Sequence, residues 1–101
     1  MTSIWLNKYQ FWVYDSAIAT WYDVAGIYIF AGLTPRGWRP FYIGQAKSFQ
    51  NRIPNHENWP EAARLGATHV HAMVVPLEAN RDTIEAELIA ACQPAINVQL
   101  T

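Results

Sequence analysis

Two tyrosines, a run of cations and one inward-facing carboxylate are the residues of this 101-residue chain whose types and spacing could do chemistry. Tyr28 closes the tripeptide Gly26-Ile27-Tyr28, and Tyr42 opens Tyr42-Ile43-Gly44. Between Asp23 and Glu57 the chain carries Arg36, Arg39, Lys47 and Arg52 and no acid, whereas from Glu57 to Glu87 acids outnumber Arg64 and Arg81. A basic first half and an acidic second half make either a polyanion-facing surface or a molecule with a dipole. Glu85 is the inward carboxylate: an advance of about 100° per residue places it inside the apolar arc of Ile84, Leu88, Ile89, Ala91 and Cys92. An acid there is costly unless a cation or several donors meet it. Asp82 as N-cap, with Glu85 reaching back in a capping box, is the local alternative. His69 and His71, at i and i+2, could ligate a metal, but no third ligand is close in sequence, so hydrogen-bonded or solvent-facing histidines are the simpler reading.

The elements that must position these groups follow from periodicity. Gly26 to Gly32 alternates, with Ile27, Ile29 and Ala31 on one side and Tyr28 and Phe30 on the other. A turn-rich stretch, residues 33–40, separates it from a second strand at Phe41 to Gly44, so an antiparallel hairpin is expected with Trp38 at its tip between Arg36 and Arg39. Setting Tyr28 opposite Tyr42 puts Ile27 across from Ile43 and Ile29 across from Phe41. A short helix is expected from Ala46 to Ile53, ended by Pro54, which leaves Arg52 near its end and His56 in the loop beyond. A brief helix over 60–66, a strand over 68–75, a helix from about Asn80 to Cys92 and an extended tail from Ala95 to Leu100 complete the expected elements. Residues 1 to 22 are rich in aromatics without a clean period. A strand near 9–14 is expected there, and the aromatics serve either as a packing layer or as a platform for stacked bases.

With 51% hydrophobic and 15% charged residues, the chain can bury one core without staples. No apolar run approaches the roughly 20 residues of a membrane span. The N-terminus lacks the order of a secretory signal, and a single cysteine, Cys92, excludes an internal disulfide, so a cytoplasmic setting is the expectation. The net charge of −1 argues against tight nonspecific DNA binding. The division expected is an aromatic-rich extension, residues 1–23, packed on a domain of residues 24–101.

The two tripeptides in order, Arg52 ten residues beyond Tyr42, Glu85 within EAELIAACQP, and Asn97 three residues after Pro94 together resemble the GIY-YIG nuclease superfamily, over residues 24 to 99. The resemblance implies an α+β fold with a small three-stranded, largely antiparallel sheet flanked by helices. It also implies metal-dependent hydrolysis of a phosphodiester. On that basis Glu85 holds Mg²⁺ or Mn²⁺, Arg52 neutralises charge on the phosphate, Tyr28 is the general base for the attacking water, Tyr42 helps hold water or phosphate, and His56 relays a proton. A tyrosine base needs a lowered pKa, which nearby positive charge could supply. Asn97 is expected to fix the C-terminal turn.

Three departures from the family pattern stand out. The segment between the tripeptides is somewhat longer than usual, Gln45 stands where many members have a lysine or other polar residue, and Pro54 precedes His56. With no room for an attached DNA-binding domain, the expectation is a stand-alone endonuclease acting on DNA or RNA, weakly specific or structure-specific unless a protein partner supplies the choice. Arg36, Trp38, Arg39 and Lys47 are then the candidate nucleic-acid contacts. The alternative is a noncatalytic binding or regulatory module of the same fold.

Overall fold

Strand β3 (Gly26–Thr34) carries the first tripeptide and is buried at its first seven positions. It pairs on one side with β4 (Gly37–Ala46) and on the other with β5 (His69–Val74), both antiparallel. The computed structural model describes residues 1–100, and in it β1 (Thr2–Trp5) and β2 (Tyr9–Asp15) extend this sheet to five strands in the order β1-β2-β5-β3-β4. The sheet is therefore larger than the three strands expected, because the aromatic N-terminal stretch supplies two more. The strand expected near residues 9–14 is β2, whereas its place in the sheet is masked in sequence: Phe11 faces one core while Tyr14 packs against the other, so apolar residues occupy both faces. Leu6 and Asn7 take positive φ (54° and 58°) in the turn that Lys8 N–H closes onto the Trp5 carbonyl, the handedness suited to a tight hairpin.

The hairpin of β3 and β4 also differs from expectation. Its strands run on through Leu33↔Trp38 to Thr34↔Gly37, leaving Pro35 and Arg36 as the turn. Pro40 looked like a loop residue, but β4 is an edge strand, where a missing N–H is tolerated. Trp38 accordingly lies within the strand and not at the tip. The register pairs Tyr28 with Gly44 and Phe30 with Tyr42, two residues from the expected pairing, and Ile29 faces Ile43 rather than Phe41. A two-residue shift preserves the faces. An irregularity between Phe30 and Ala31 leaves Phe41 without a partner in the ladder, and Phe41 and Tyr42 both join the Tyr28 side.

Each face of the sheet has its own core. Tyr28, Phe30, Phe41 and Val70 pack against α1 (Phe49–Arg52), α2 (Trp59–Leu65) and Ile96 of α4 (Ala95–Leu100). Phe11, Ile27, Ile29 and Ile43 pack against Leu88 of α3 (Glu78–Cys92). Fully buried side chains such as Phe11, Ile29 and Leu88 contribute about 1.5–3 kcal/mol each. Gly26 is required between the layers: a Cβ there would lie 2.0 Å from the Met73 carbonyl oxygen and 2.6 Å from the Phe49 ring.

Local chemistry sets the helix ends. Ser48 caps α1 by accepting from Asn51 N–H, Pro60 lies in the first turn of α2, and Gly66, at φ 125°, closes it. Helix α3 starts at Glu78 after Leu77, so Asp82 is a turn inside it and the capping-box reading fails. The expected extended tail is instead α4. Ile96, Val98 and Leu100 alternate as in a strand, yet of these three only Ile96 is buried. No helix among the described residues is long and apolar enough to cross a membrane.

Candidate active site

Tyr28 is 1% exposed, and its hydroxyl rests over the backbone of Gly44, where an added Cβ would come within 2.5 Å of the phenol oxygen. That contact requires glycine at the end of the second tripeptide. The hydroxyl lies 2.7 Å from Nε2 of His56. Asn55, at φ 57°, reverses the chain after α1 and turns His56 inward, where it is 2% exposed. Asn58 N–H donates to His56 Nδ1 at 3.0 Å. With Nδ1 an acceptor, a neutral imidazole carries its proton on Nε2 and donates to the Tyr28 oxygen.

The rings of Tyr28 and Tyr42 lie 6.2 Å apart between centroids, and His56 is 5.2 Å from Tyr42 and 5.0 Å from Phe30. Burial, reinforced by Arg52, lowers the His56 pKa to about 4, so the ring is neutral at neutral pH. Burial also raises the Tyr28 pKa, with Tyr42 adding to the rise and Arg52 opposing it. This reverses the lowering expected for a tyrosine base: the guanidinium is present, but desolvation of a 1%-exposed phenol outweighs it.

Arg52, the last residue of α1, donates from Nη1 and Nη2 to the two carboxylate oxygens of Glu57, at 2.7 and 2.6 Å. The hydrogen bond from Arg52 pulls the Glu57 pKa down to about 2, and the arginine's is raised in turn. Tyr28, Tyr42, Arg52 and His56 thus form one cluster.

Glu85 reaches the second tripeptide by a different route. Its Oε1 accepts from Gln45 Nε2 at 3.0 Å, and the same amide donates to Asp82 Oδ1 at 2.7 Å. Gln45 in turn accepts from Nε of the buried Arg81, which also donates to the carbonyls of Val75 and Pro76. Glu85 is therefore half-buried and tied to the residue after Gly44. Among the described residues it hydrogen-bonds neither tyrosine nor Arg52. No group of three or more His, Cys, Asp or Glu side chains that could hold a metal occurs among the described residues. A pair of acids converging on one amide fits a hard cation that keeps most of its water, as Mg²⁺ does with one or two carboxylates.

The remaining candidates are dispersed. Arg36 is exposed in the hairpin turn, Arg39 lies over the Phe41 ring, and Lys47 is exposed just after β4. Trp38 is on the α3 face, its ring 4.4 Å from His71 and 5.1 Å from His69. His71 is buried, with Nδ1 2.7 Å from the Ser3 hydroxyl, and Nδ1 of His69 lies 2.7 Å from the Thr68 hydroxyl, so both histidines of the pair are in hydrogen-bond contact.

No family sequence model matches the chain, and no curated protein matches it. Its structure, however, is similar to that of the GIY-YIG N-terminal endonuclease domain of UvrC from Thermotoga maritima. One such structure, bound to its catalytic divalent cation, magnesium, shares 29% identity at TM-score 0.61 over 74% of this chain and 84% of that one. A point mutant of the same domain, also bound to its catalytic divalent cation, is 30% identical at TM-score 0.59 over 74% and 83%. The chain belongs to the GIY-YIG family.

In this GIY-YIG domain, sequence reasoning left Glu57, Arg81 and Asp82 outside the site. Glu57 was marked in sequence as the first acid after the long basic stretch and as the neighbour of His56. Gln45 stood out as a departure from the family's usual residue. Its bonds to Asp82, Glu85 and Arg81 make it the strut between β4 and α3.

Proposed function

We propose that this GIY-YIG domain is a metal-dependent nuclease that hydrolyses phosphodiester bonds of DNA, with RNA as the other polymer to test, using residues of this chain alone. The observation that carries the reading is the cluster of Tyr28, Tyr42, His56 and Arg52, two phenols, an imidazole and a guanidinium drawn from separate elements. Similarity to an endonuclease domain bound to a catalytic divalent cation supports it.

In this mechanism Arg52 exchanges Glu57 for the scissile phosphate, two acceptor oxygens replacing two. Glu85, with Asp82 beside it, holds Mg²⁺ or Mn²⁺, and Gln45 fixes the orientation of both acids. The cation supplies charge neutralisation at the phosphate and the leaving oxygen. Tyr28 holds the attacking water. Its phenol is protonated at rest, so to take the water's proton it first releases its own to solvent, and the anion left is stabilised by the N–H of His56 and the charge of Arg52. Tyr42 orders the water or phosphate from across the ladder. Arg36, Arg39 and Lys47 meet flanking phosphates. Choice of target rests on nucleic-acid structure or on a protein partner.

A noncatalytic binding module is the second reading, favoured by the engagement of Arg52 with Glu57. Cleavage of single-stranded, duplex and branched DNA, and of RNA, with Mg²⁺ or Mn²⁺ separates the two. Cutting abolished by EDTA and by Glu85→Ala is expected. Cutting that persists in Glu85→Ala refutes the site, and nucleic-acid binding without cutting under any condition selects the module.

A further inference from the structure

A cleft of about 590 Å³ opens on the Tyr28 face, between the 16–21 segment and the loop and helix start of residues 53–60. Trp21, Phe30 and Trp59 form its aromatic walls, with Ser16, Asn55 and His56 among the polar groups lining it. These walls are set before any ligand arrives. Trp21 is held edge-on by Tyr14 and Phe49, at centroid distances of 5.0 and 6.0 Å, and Trp59 stands perpendicular to Phe30 at 5.0 Å. Rigid aromatic walls lower the ordering cost of binding a flat ring.

We propose that this cleft receives one unstacked nucleobase of the substrate, adjoining the phosphate taken by Arg52. Three observations assign that occupant. Among the described residues no lysine or arginine lines the cleft, and the one carboxylate lining it is that of Glu57, so it is not built for phosphate. Indole and phenyl surfaces together with the amide of Asn55 and the hydroxyl of Ser16 match the face and edge of a base. Finally, two residues belong to both places: His56 lines the cleft and bonds Tyr28, and Glu57 lines it and bonds Arg52. A nucleotide whose phosphate displaces Glu57 from Arg52 therefore has its base at the cleft mouth. The volume is within the range of small-molecule sites, enough for a base with its sugar. A base inside a duplex cannot enter without leaving the stack, so the substrate class implied is a strand with an unpaired nucleotide beside the scissile bond.

This rests on the nuclease reading, and the experiment keeps the two apart. A single-stranded phosphorothioate oligonucleotide, its fully paired duplex and an abasic version of the strand are titrated into the full chain with Mg²⁺. The indole N–H resonances of Trp21 and Trp59 are followed, after assignment with Trp21→Phe and Trp59→Phe. In parallel, ordinary strands with and without an abasic nucleotide beside the cut position are digested. Both indole signals should move with the base-bearing strand, and the abasic strand should bind and be cut about tenfold less well. Equal binding and cutting of abasic and base-bearing strands, or shifts confined to other tryptophans such as the exposed Trp12, would overturn the base site and leave the nuclease standing. Absence of both binding and cutting would remove the nuclease reading and the base site with it.

Discussion

Arg52 donates two hydrogen bonds to Glu57, one from each terminal nitrogen to a separate carboxylate oxygen, so the cation proposed for the phosphate already holds an anion of similar geometry. The pair is half-exposed and exchangeable. Glu57→Gln should therefore strengthen binding of nucleic acid several-fold and steepen its loss with salt, because Arg52 then meets phosphate unopposed. Arg52→Lys keeps the charge but loses the two-point geometry, and kcat/KM should fall about 10²-fold. Binding isotherms and steady-state cleavage over a salt series check both.

Removing the Tyr28 hydroxyl has two separable effects. Tyr28→Phe should lower the cleavage rate by about 10²–10⁴-fold, the span of a lost acid–base group. It also strands the Nε2–H of a 2%-exposed His56, costing about 1–3 kcal/mol. Rates under saturating substrate and thermal melts read these independently. Wild-type rates in Tyr28→Phe would remove the hydroxyl from the mechanism.

Gln45 makes no contact with substrate in the proposed mechanism and acts through Asp82 and Glu85. Gln45→Ala should raise the Mg²⁺ concentration for half-maximal cleavage by about 10–100-fold while leaving the rate at saturating metal nearly unchanged. Glu85→Ala should abolish cleavage at every metal concentration. An unchanged metal midpoint in Gln45→Ala would show that the acids are positioned without it.

Two buried imidazoles make the fold acid-sensitive. Burial lowers both His56 and His71 from 6.5 to about 4, so in the folded chain they stay neutral while the unfolded chain protonates them. Stability is intact above about pH 6.5 and declines as pH falls from 6.5 to 4, by on the order of 2–3 kcal/mol for each imidazole. The hydrogen bond from Arg52 depresses Glu57 to about 2, so that pair contributes a decline only below about 4.5. Urea unfolding at pH 7.5, 5.5 and 4.5 should show the first loss, and His56→Gln should flatten part of it. A pH-independent midpoint would refute the neutral, buried state.

By itself, the sequence determined which residues could carry chemistry and which faces they share. Strand alternation in the expected register put Tyr28 and Tyr42 on one side, and the observed register keeps them there, since a two-residue slip moves a side chain along a face and not through it. Pro54 ended α1 near Arg52, and the helical period turned Glu85 inward, half-buried beside Ile84 and Leu88. What the tertiary structure alone decided are the long-range partners: Gly44 under the Tyr28 hydroxyl, His56 on its oxygen, Gln45 between Asp82 and Glu85, and Asn97 bonding both the N–H and the carbonyl of Ile43 on the open edge of β4. Short elements were likewise settled by packing. Strand β2 was expected near residues 9–14, but β1 and the docking of both strands on the sheet depend on the free edge of β5, and α4 on one of its alternating apolar residues, Ile96, finding the core. Periodicity is local and records what a stretch can bury. Pairing depends on groups distant in sequence, such as Asn97 and Ile43, which meet only once the chain has folded.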